Sequence, residues 1–248
     1  MSAPPNPRDR FITVYGRKPV LEALADDRLT VDKVLVAENA GGPQVSHLLR
    51  EAARRRVEVL RVPAARVTKV SRNGRQDQGV VADIVAPRLR RLSEQTASTL
   101  EGHVLVLDGV TNPQNVGMIL RTATAAGFVG IVVPRAGVPD LGPLVIKASA
   151  GVALDAPVLR ADDPSSAVDI LRAGGFSIVG LAADAERALW DPRPFAERTA
   201  FVLGSETGGI RVEVDASVAI PMAGGVDSLN VAVAAGVLCF EVLRRSLV

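Results

Sequence analysis

Three polar stretches in the second half of the chain hold most of the side chains that could take part in chemistry. They are residues 108–123, 201–210 and 219–236, and each combines glycines with amide, carboxylate or hydroxyl groups. The candidate catalytic residues that they supply are Asn115, Arg121, Glu206, Ser228 and Asn230. Such groups could orient a polar or anionic substrate beside backbone that small residues leave exposed.

Each of these residues also has a structural explanation. Asn115 and Arg121, six positions apart, could hold an anionic substrate, or they could tie a helix start to its loop. Glu206 could hold a polar or cationic ligand, or it could be an acid favoured by the dipole of a helix start. Ser228 precedes a long apolar run, so we expect it to be the N-cap of the last helix, with Asn230 as its neighbour.

Several common catalytic and cofactor motifs are absent from the sequence. It has no Gly-x-Gly-x-x-Gly opening the α/β part and no Gly-x-x-x-x-Gly-Lys-Ser/Thr, which disfavours nicotinamide and P-loop enzymes. Only two histidines, His47 and His103, and one cysteine, Cys239, occur. We expect both histidines to be structural or exposed. A histidine-based triad, a zinc site or a disulfide framework therefore lacks its parts, and we predict no bound metal.

The hydrophobic pattern around the three stretches predicts the elements that position them. From residue 103 onward, short apolar strands alternate with helices, which is typical of a mainly parallel sheet covered on both faces. Each stretch follows a predicted strand end, where the ligands of open α/β sheets bind. Predicted strands are 104–107, 130–133, 177–182, 199–203 and 217–220, and predicted helices are 116–126, 147–151, 164–173 and 229–243.

The sequence before residue 103 predicts a separate, smaller α/β module. Residues 1–10 are polar and proline-rich and are expected to be a disordered tail. Residues 11–86 alternate strands with helices and form the first predicted domain. Residues 87–102 are predicted to be a linker with room for one helical turn, and residues 103–248 form the second domain.

Charge is divided unevenly between these parts. Residues 1–100 carry 18 lysines and arginines against 11 aspartates and glutamates, whereas residues 101–248 carry 11 against 16. A basic first part joined to an acidic second part indicates a polyanion-binding module, and chance surface charge is an equally good explanation. The basic loop residues that could contact such a polyanion are Arg17, Lys18, Arg72 and Arg75.

The remaining composition bears on compartment and on stacking surfaces. No uninterrupted apolar run reaches the roughly 18 residues of a transmembrane helix. The polar N-terminus does not have the pattern of a signal peptide. We therefore expect a cytoplasmic protein with no membrane partner. Because only 3% of the residues are aromatic, stacking platforms for single-stranded bases would be few.

Taken in order, the three stretches resemble the signature motifs of the SpoU (TrmH-type) family of RNA ribose 2′-O-methyltransferases. The matching segments are Asn115–Arg121, Leu203–Gly209, and Ile220–Met222 with Ser228–Asn230. The resemblance covers residues 104–245. Residues 15–24 and 78–80 are similar to the ribosomal-protein-like RNA-binding domain of the subgroup that modifies large-subunit rRNA. The chain departs from the usual pattern at Asp77, where histidine is frequent, and at Ala232, where serine is frequent.

The resemblance implies an α/β-knot (SPOUT) domain with a deep trefoil knot, which binds S-adenosylmethionine in its knotted loops. It also implies a homodimer with catalytic residues gathered across the interface. Arg121 would be the base or the group that stabilises charge. Asn115, Ser228 and Asn230 would hold loop and substrate, and Glu206 would order the site. The implied cofactor contacts are Leu203, Gly204, Ser205, Gly208, Ile220, Met222, Ser228 and Leu229.

The activity implied by the resemblance is S-adenosylmethionine-dependent methylation of a ribose 2′-hydroxyl in RNA. The expected target is a guanosine in 23S rRNA, and a tRNA ribose methyltransferase is the alternative enzyme. A non-catalytic RNA-binding or ribosome-assembly protein that keeps the fold is the alternative from another class. Retention of all the polar motif residues favours an enzyme.

Overall fold

The computed structural model describes residues 10–223, 225 and 227–247. These residues divide into two compact units. The first contains residues 10–87 and Leu141–Pro143, and the second contains the described residues of 88–140 and 144–247. The predicted disordered tail lies outside the described residues except for Arg10.

The first unit is a mixed sheet flanked by helices. In chain order its elements are β1 (Phe11–Tyr15), α1 (Arg17–Ala25), β2 (Val31–Ala37), α2 (Pro43–Arg54), β3 (Glu58–Val62), α3 (Ala64–Ser71) and β4 (Val80–Val85). The strand order is β1-β4-β2-β3, with β4 antiparallel to both of its neighbours and β2 parallel to β3. Buried residues of β2, β3, β4 and α3 pack together as one apolar cluster.

The second unit is a parallel α/β sheet, as the alternation of strands and helices predicts. Its elements are β5 (Arg90–Arg91), α4 (Glu94–Ser98), β6 (Val104–Leu107), α5 (Pro113–Ala125), β7 (Gly130–Pro134), α6 (Pro143–Ala148), β8 (Val158–Ala161), α7 (Pro164–Ala173), β9 (Ser177–Leu181), β10 (Thr199–Leu203), β11 (Ala216–Val218) and α8 (Val231–Ser246). The strand order is β11-β9-β10-β6-β7-β8-β5, and the pairings between these strands are parallel.

The two central strands determine where a ligand can bind. Every residue of β6 and β10 is buried, which is typical of strands covered on both faces. From β6 the chain continues outward to β7 and β8, and it then crosses to β9 and β10 on the other side. Because the strand order reverses at β6 and β10, their carboxyl ends border the crevice in which open α/β sheets bind ligands.

The predicted linker, residues 87–102, differs in the structure from an open connection. It contains β5, which pairs with β8, and the short helix α4. Its apolar side chains Leu89, Leu92, Ala97 and Leu100 are buried. Ser93 accepts a hydrogen bond from the backbone N–H of Thr96 and so caps α4. The leucines at 89, 92 and 100 show no helical or strand periodicity in the sequence, but all three are buried in the second unit.

Several other elements differ from the sequence predictions. Helix α6, predicted at residues 147–151, is Pro143–Ala148, and β11, predicted at residues 217–220, is Ala216–Val218. Helix α5 begins at Pro113, three residues earlier than expected, because Asn112 Oδ1 accepts from the backbone N–H of Gln114 at 2.9 Å and Pro113 suits the first helical position. Strand β8 was not predicted. Its Arg160 interrupts the apolar pattern, although that side chain is buried and donates to the carbonyl of Val133.

Candidate active site

Glu206 lies at the junction of the three polar stretches. Its Oε1 accepts hydrogen bonds from Asn115 Nδ2 at 3.2 Å, from Asn230 Nδ2 at 2.7 Å and from the backbone N–H of Val231 at 3.3 Å. Asn230 Nδ2 also donates to Asn115 Oδ1 at 3.2 Å. The structure therefore brings together one polar side chain from each stretch. Glu206 lies at the N-terminus of α8, where its negative charge is favoured by the helix dipole.

The last helix begins two residues later than predicted, and its N-cap is Asn230 instead of Ser228. Asn230 Oδ1 accepts from the backbone N–H groups of Ala232 at 3.0 Å and Val233 at 3.4 Å. Because Nδ2 of Asn230 donates to Glu206, Oδ1 of Asn230 faces the start of the helix. Ser228 does not cap α8, so the prediction that it is the N-cap was wrong.

A tight turn after β10 presents Glu206. The backbone N–H and carbonyl of Ser205 pair with those of Gly209 at 3.1 and 3.0 Å, and Ser205 Oγ accepts from the N–H of Gly208 at 2.9 Å. A Cβ on Gly204 would lie 2.2 Å from the carbonyl carbon of Gly209. Gly209 itself has a φ of +60°, in the left-handed region that favours glycine. The glycines of this stretch therefore shape the turn, and Glu206 extends from it.

A buried carboxylate fixes the first stretch against the second. Asp108, at the end of β6, is 1% exposed, and its Oδ1 accepts from Arg211 Nη2 at 2.9 Å. Its Oδ2 accepts from the backbone N–H groups of Arg211 and Val212. The Arg211 guanidinium lies over Gly109, where a Cβ would be 2.6 Å from Nη2. This ion pair connects the ends of two neighbouring motifs, and the sequence pattern did not single it out.

A cavity of about 490 Å³ opens beside the Glu206 turn. The predicted cofactor residues that line it are Leu203, Gly204, Ser205, Ile220, Met222, Ser228 and Leu229, and Glu206 lines it as well. Gly208 lies in the turn but does not line the cavity. The volume is within the range of small-molecule sites, about 300–1,000 Å³. The predicted residues from three separate stretches therefore meet at one concave surface.

The end of β9 also lines this cavity, and we did not predict it. Leu181, Ala182, Ala183 and Asp184 form one wall. The Asp184 carboxylate is exposed and makes no hydrogen bond or ion pair with any described residue. Because β9 is parallel to β10, the two strands end at the same edge of the sheet. The signal that could have identified this wall was Asp184, an aspartate that follows a buried strand.

The structure places Arg121 apart from the cavity. The residue does not line the cavity, and its exposed guanidinium has no hydrogen-bond partner among the described residues. It lies on the outward face of α5 with Met118 and Ala125, which are also exposed. Asn115, by contrast, is buried in the first turn of the same helix and faces Glu206. The two candidates of the first stretch therefore occupy different surroundings.

The predicted RNA contacts lie in the first unit. Arg17 is half-buried at the start of α1, and its backbone N–H donates to Gln78 Oε1 at 3.0 Å. Lys18 is exposed and forms an ion pair with Glu22 at 3.8 Å. Arg72 and Arg75 are exposed in the loop between α3 and β4. These side chains can reach an anionic partner without losing internal contacts of consequence.

The histidines and the cysteine have structural surroundings. His103 lies against the ring of Phe201, with centroids 5.6 Å apart, and burial lowers the pKa of its imidazole so that the neutral form is favoured. His47 is exposed in α2, and Cys239 is buried in α8. Among the described residues, no three His, Cys, Asp or Glu side chains are grouped to hold a metal ion. No helix in the same part of the chain is long and apolar enough to cross a bilayer.

Comparison with protein families gives matches to both halves of the chain. Residues 102–240 match the SpoU rRNA Methylase family. Residues 13–90 match the family described as RNA 2′-O ribose methyltransferase substrate binding. The first match includes all three polar stretches, and the second includes the basic loop residues of the first unit.

Individual relatives cover nearly the whole chain. The 23S rRNA (guanosine-2′-O-)-methyltransferase RlmB of Xanthomonas axonopodis pv. citri is 33% identical over 242 residues, covering 94% of this chain and 96% of that protein. A relative from Bacillus subtilis, 32% identical with coverage of 94% and 95%, is named only at the level of TrmH family tRNA/rRNA methyltransferases. The structure of an AdoMet-bound rRNA methyltransferase from Sinorhizobium meliloti superposes with a TM-score of 0.65 at 26% identity, over 96% of this chain and 88% of that one.

Proposed function

Because the chain belongs to the SpoU rRNA methylase family, we propose that it methylates a ribose 2′-hydroxyl of RNA with S-adenosylmethionine. The observation that carries this proposal is the Glu206 network, in which the three polar stretches meet beside a cavity of small-molecule size. A non-catalytic protein that kept only the fold would have no need to retain this set of mutually hydrogen-bonded polar groups. The trefoil knot stays a prediction.

The cavity fits S-adenosylmethionine in size and in chemistry. Its apolar side chains from Leu203, Ile220, Met222 and Leu229 suit the flat face of an adenine. Gly204 lines the cavity, so its backbone groups are available to a ligand. The carboxylate of Asp184 suits a ribose diol or an ammonium group. When bound, this cofactor supplies a sulfonium methyl group to a nucleophilic oxygen.

The acceptor hydroxyl must lose its proton during attack, so the chain must position that hydroxyl and accommodate the charge that develops. We assign this role to Arg121, whose guanidinium is unpaired among the described residues. A guanidinium ordinarily stays protonated, and its fork of donors matches phosphate oxygens. Arg121 would therefore bind a substrate phosphate and stabilise charge, and the hydroxyl proton would pass to water. Glu206 and Asn115 hold together the polar stretches that border the cavity.

The proposed assembly is a homodimer formed through α5 and α8. These helices pack against each other, and a Cβ on Gly236 would lie 3.9 Å from Thr122 Cγ2. Their outward face exposes Met118, Val233 and Phe240, with 54% and 51% exposure for the last two side chains. Self-complementary packing of such a face is typical of twofold dimers. Arg121 lies on this same face, so a second copy would bring it to a site that one protomer leaves incomplete.

The proposed substrate is a guanosine in 23S rRNA. The RlmB relatives carry that activity in their names, and the first unit matches the substrate-binding family. The basic side chains of the first unit would bind phosphates, and affinity should therefore fall steeply as salt rises. A tRNA substrate remains the second candidate because other relatives are named for tRNA and rRNA together. We propose a cytoplasmic location, where a protein would meet either of these substrates.

The test is transfer of labelled methyl from S-adenosylmethionine to separately purified 23S rRNA, 16S rRNA and tRNA, followed by nucleoside analysis. The expected result is 2′-O-methylguanosine in 23S rRNA, with no transfer by the Arg121→Ala variant. Label in tRNA would keep the chemistry and overturn the substrate. No label in any RNA, together with no binding of the cofactor, would overturn the enzyme assignment.

A further inference from the structure

A second cavity lies within the first unit, far along the sequence from the Glu206 network. It has a volume of about 520 Å³ and lies between the turn after β2, the start of α1 and the loop that leads to β4. Three carboxamide side chains, Asn39, Gln44 and Gln78, line it, together with Arg17 and Thr68. We refer to it as the carboxamide cleft. Its volume falls in the range of sites that hold one small molecule or one nucleotide.

The carboxamides of the cleft keep free hydrogen-bonding groups. Gln78 Oε1 accepts from the backbone N–H of Arg17 at 3.0 Å, which identifies the oxygen and leaves both Nε2 protons available. Asn39 and Gln44 make no side-chain hydrogen bond with any described residue. Three amide groups that converge on one concavity can together offer donors and acceptors to the edge of a planar ligand.

A buried carboxylate at the floor of the cleft is held by neutral hydrogen-bond donors. Asp77 is 4% exposed, and its carboxylate accepts from Ser71 Oγ at 2.9 Å, Thr68 Oγ1 at 3.2 Å and the backbone N–H of Gly79 at 2.9 Å. The Asp77 carboxylate is therefore hydrogen-bonded within its own loop and to the end of α3. Gln78 has a φ of +51°, which is uncommon for a residue other than glycine. The buried Asp77 therefore holds Gln78 in a strained conformation, and such strain is concentrated at ligand sites.

The rim of the cleft is positive. Arg17 Nε donates to the Gln78 carbonyl at 3.3 Å, and its terminal nitrogens have no partner among the described residues. Arg72 and Arg75 stand exposed on the adjoining loop. An anionic group at the rim would meet these guanidinium groups while an attached planar group entered the cleft.

We propose that the carboxamide cleft binds one unpaired nucleotide of RNA. Asn and Gln side chains pair with the hydrogen-bonding edges of bases, and Arg17 suits the attached phosphate. Unpaired bases are the parts of RNA whose edges proteins can read. None of the described residues that line the cleft is aromatic, so hydrogen bonds to the base edge supply the selectivity in place of stacking. This proposal rests on the RNA-binding part of the proposed function and gives that binding a location.

Fluorescence anisotropy with the full-length protein tests the cleft, without S-adenosylmethionine in the solution. The probes are a labelled single-stranded RNA dodecamer that contains all four bases and the duplex of the same sequence. The variant Asn39→Ala/Gln44→Ala removes two carboxamides that make no internal contact. It should bind the single strand about tenfold more weakly, since two hydrogen bonds are lost, and should bind the duplex as the wild type does.

Two further variants make the result specific. Gln95→Ala removes an exposed carboxamide from α4 in the second unit and should leave both affinities unchanged. Gln44→Glu keeps the shape, adds a negative charge and should also weaken single-strand binding. Equal binding of the single strand by Asn39→Ala/Gln44→Ala and wild type would overturn the proposal, as would an equal loss for both RNAs. Because no cofactor is present, failure of methyl transfer would not affect this outcome.

Discussion

Asn230 Nδ2 donates to Glu206 Oε1 at 2.7 Å, the shortest contact that this carboxylate makes with the other two polar stretches. The opposite end of the same carboxamide caps α8 through the backbone N–H groups of Ala232 and Val233. Glu206 therefore determines the orientation of a helix cap as well as the position of a loop. That double role makes it the first residue to vary.

Glu206→Ala should lower both stability and activity. It removes an ionised acceptor for two side-chain amides and a backbone N–H, and we expect a loss of about 2 kcal/mol in the free energy of unfolding. Methyl transfer should fall by at least tenfold in kcat/KM because Asn115 and Asn230 lose their common partner. Glu206→Gln, which keeps one oxygen acceptor, should recover most of the stability. Thermal melting and initial rates measure the two effects, and a fully active Glu206→Ala enzyme would contradict this assignment.

Arg121→Ala should abolish methyl transfer, with a loss of about 100-fold or more, and should leave folding and cofactor affinity unchanged. The reason is that Arg121 is exposed, does not line the cavity and makes no internal hydrogen bond with a described residue. Rates with saturating cofactor and calorimetric binding of S-adenosylmethionine separate the two properties. Arg90→Ala removes an exposed arginine from β5 and serves as the control. Equal activity of both variants would refute the role of Arg121.

Phe240→Arg should convert the proposed dimer to a monomer. Its ring is 51% exposed on the outward face of α8, so the substitution costs the isolated protomer little and places like charges together across a twofold interface. Light scattering after size exclusion gives the mass directly. Leu144→Arg changes a side chain that is 56% exposed on α6 and should leave the mass unchanged. A wild-type protein that is monomeric at micromolar concentration would reject the dimer.

Asp184→Asn should weaken S-adenosylmethionine binding by about tenfold. Its carboxylate is unpaired among the described residues and lines the cavity, so it is available to a hydroxyl or ammonium group of the ligand. Isothermal calorimetry at neutral pH measures the change. Glu213→Ala removes a carboxylate that is exposed and does not line the cavity, and it should bind the cofactor normally. Unchanged affinity in Asp184→Asn would show that another wall of the cavity holds the polar part of the ligand.

Cys239 should be inert to thiol reagents in the folded protein. Burial in α8 raises the pKa of its thiol to about 12, so the reactive thiolate is scarce at pH 8, and the side chain is fully buried. A disulfide-exchange reagent should therefore react at pH 8 only after denaturant is added. Raising the pH towards 12 should increase the thiolate fraction. Rapid reaction of the native protein at pH 8 would indicate that α8 opens locally.

Regular, apolar elements were predictable from the sequence because their signals are local. Strands Val104–Leu107 and Thr199–Leu203 have the predicted bounds, since each is a dense apolar run between polar residues. The residues at which helices and strands begin and end were less predictable. The start of α8 depends on Asn230, which was chosen over Ser228 by a contact with Glu206, 24 residues away in sequence.

The candidate site was predictable in its members but not in its arrangement. The family resemblance identified Glu206 and the residues of the cavity, whereas no local pattern shows that Asp184 borders the same space. That residue joins the site only because β9 lies beside β10 in the sheet. The Asp108–Arg211 pair also spans more than 100 positions and leaves no periodic trace in the sequence. The order of the strands in the sheet brings Asp184 to the cavity and Asp108 to Arg211, and the sequence pattern does not specify that order.

The capping contact of Asn230 has a thermodynamic consequence. Val231 and Ala234, in the first turn of α8, line the cavity, while Val233 and Phe240 form the outward face of the same helix. A ligand that steadies this first turn would also align the face that is proposed to meet a second copy. Linkage requires the effect to be reciprocal: the factor by which the cofactor tightens subunit association equals the factor by which association tightens the hold on the cofactor.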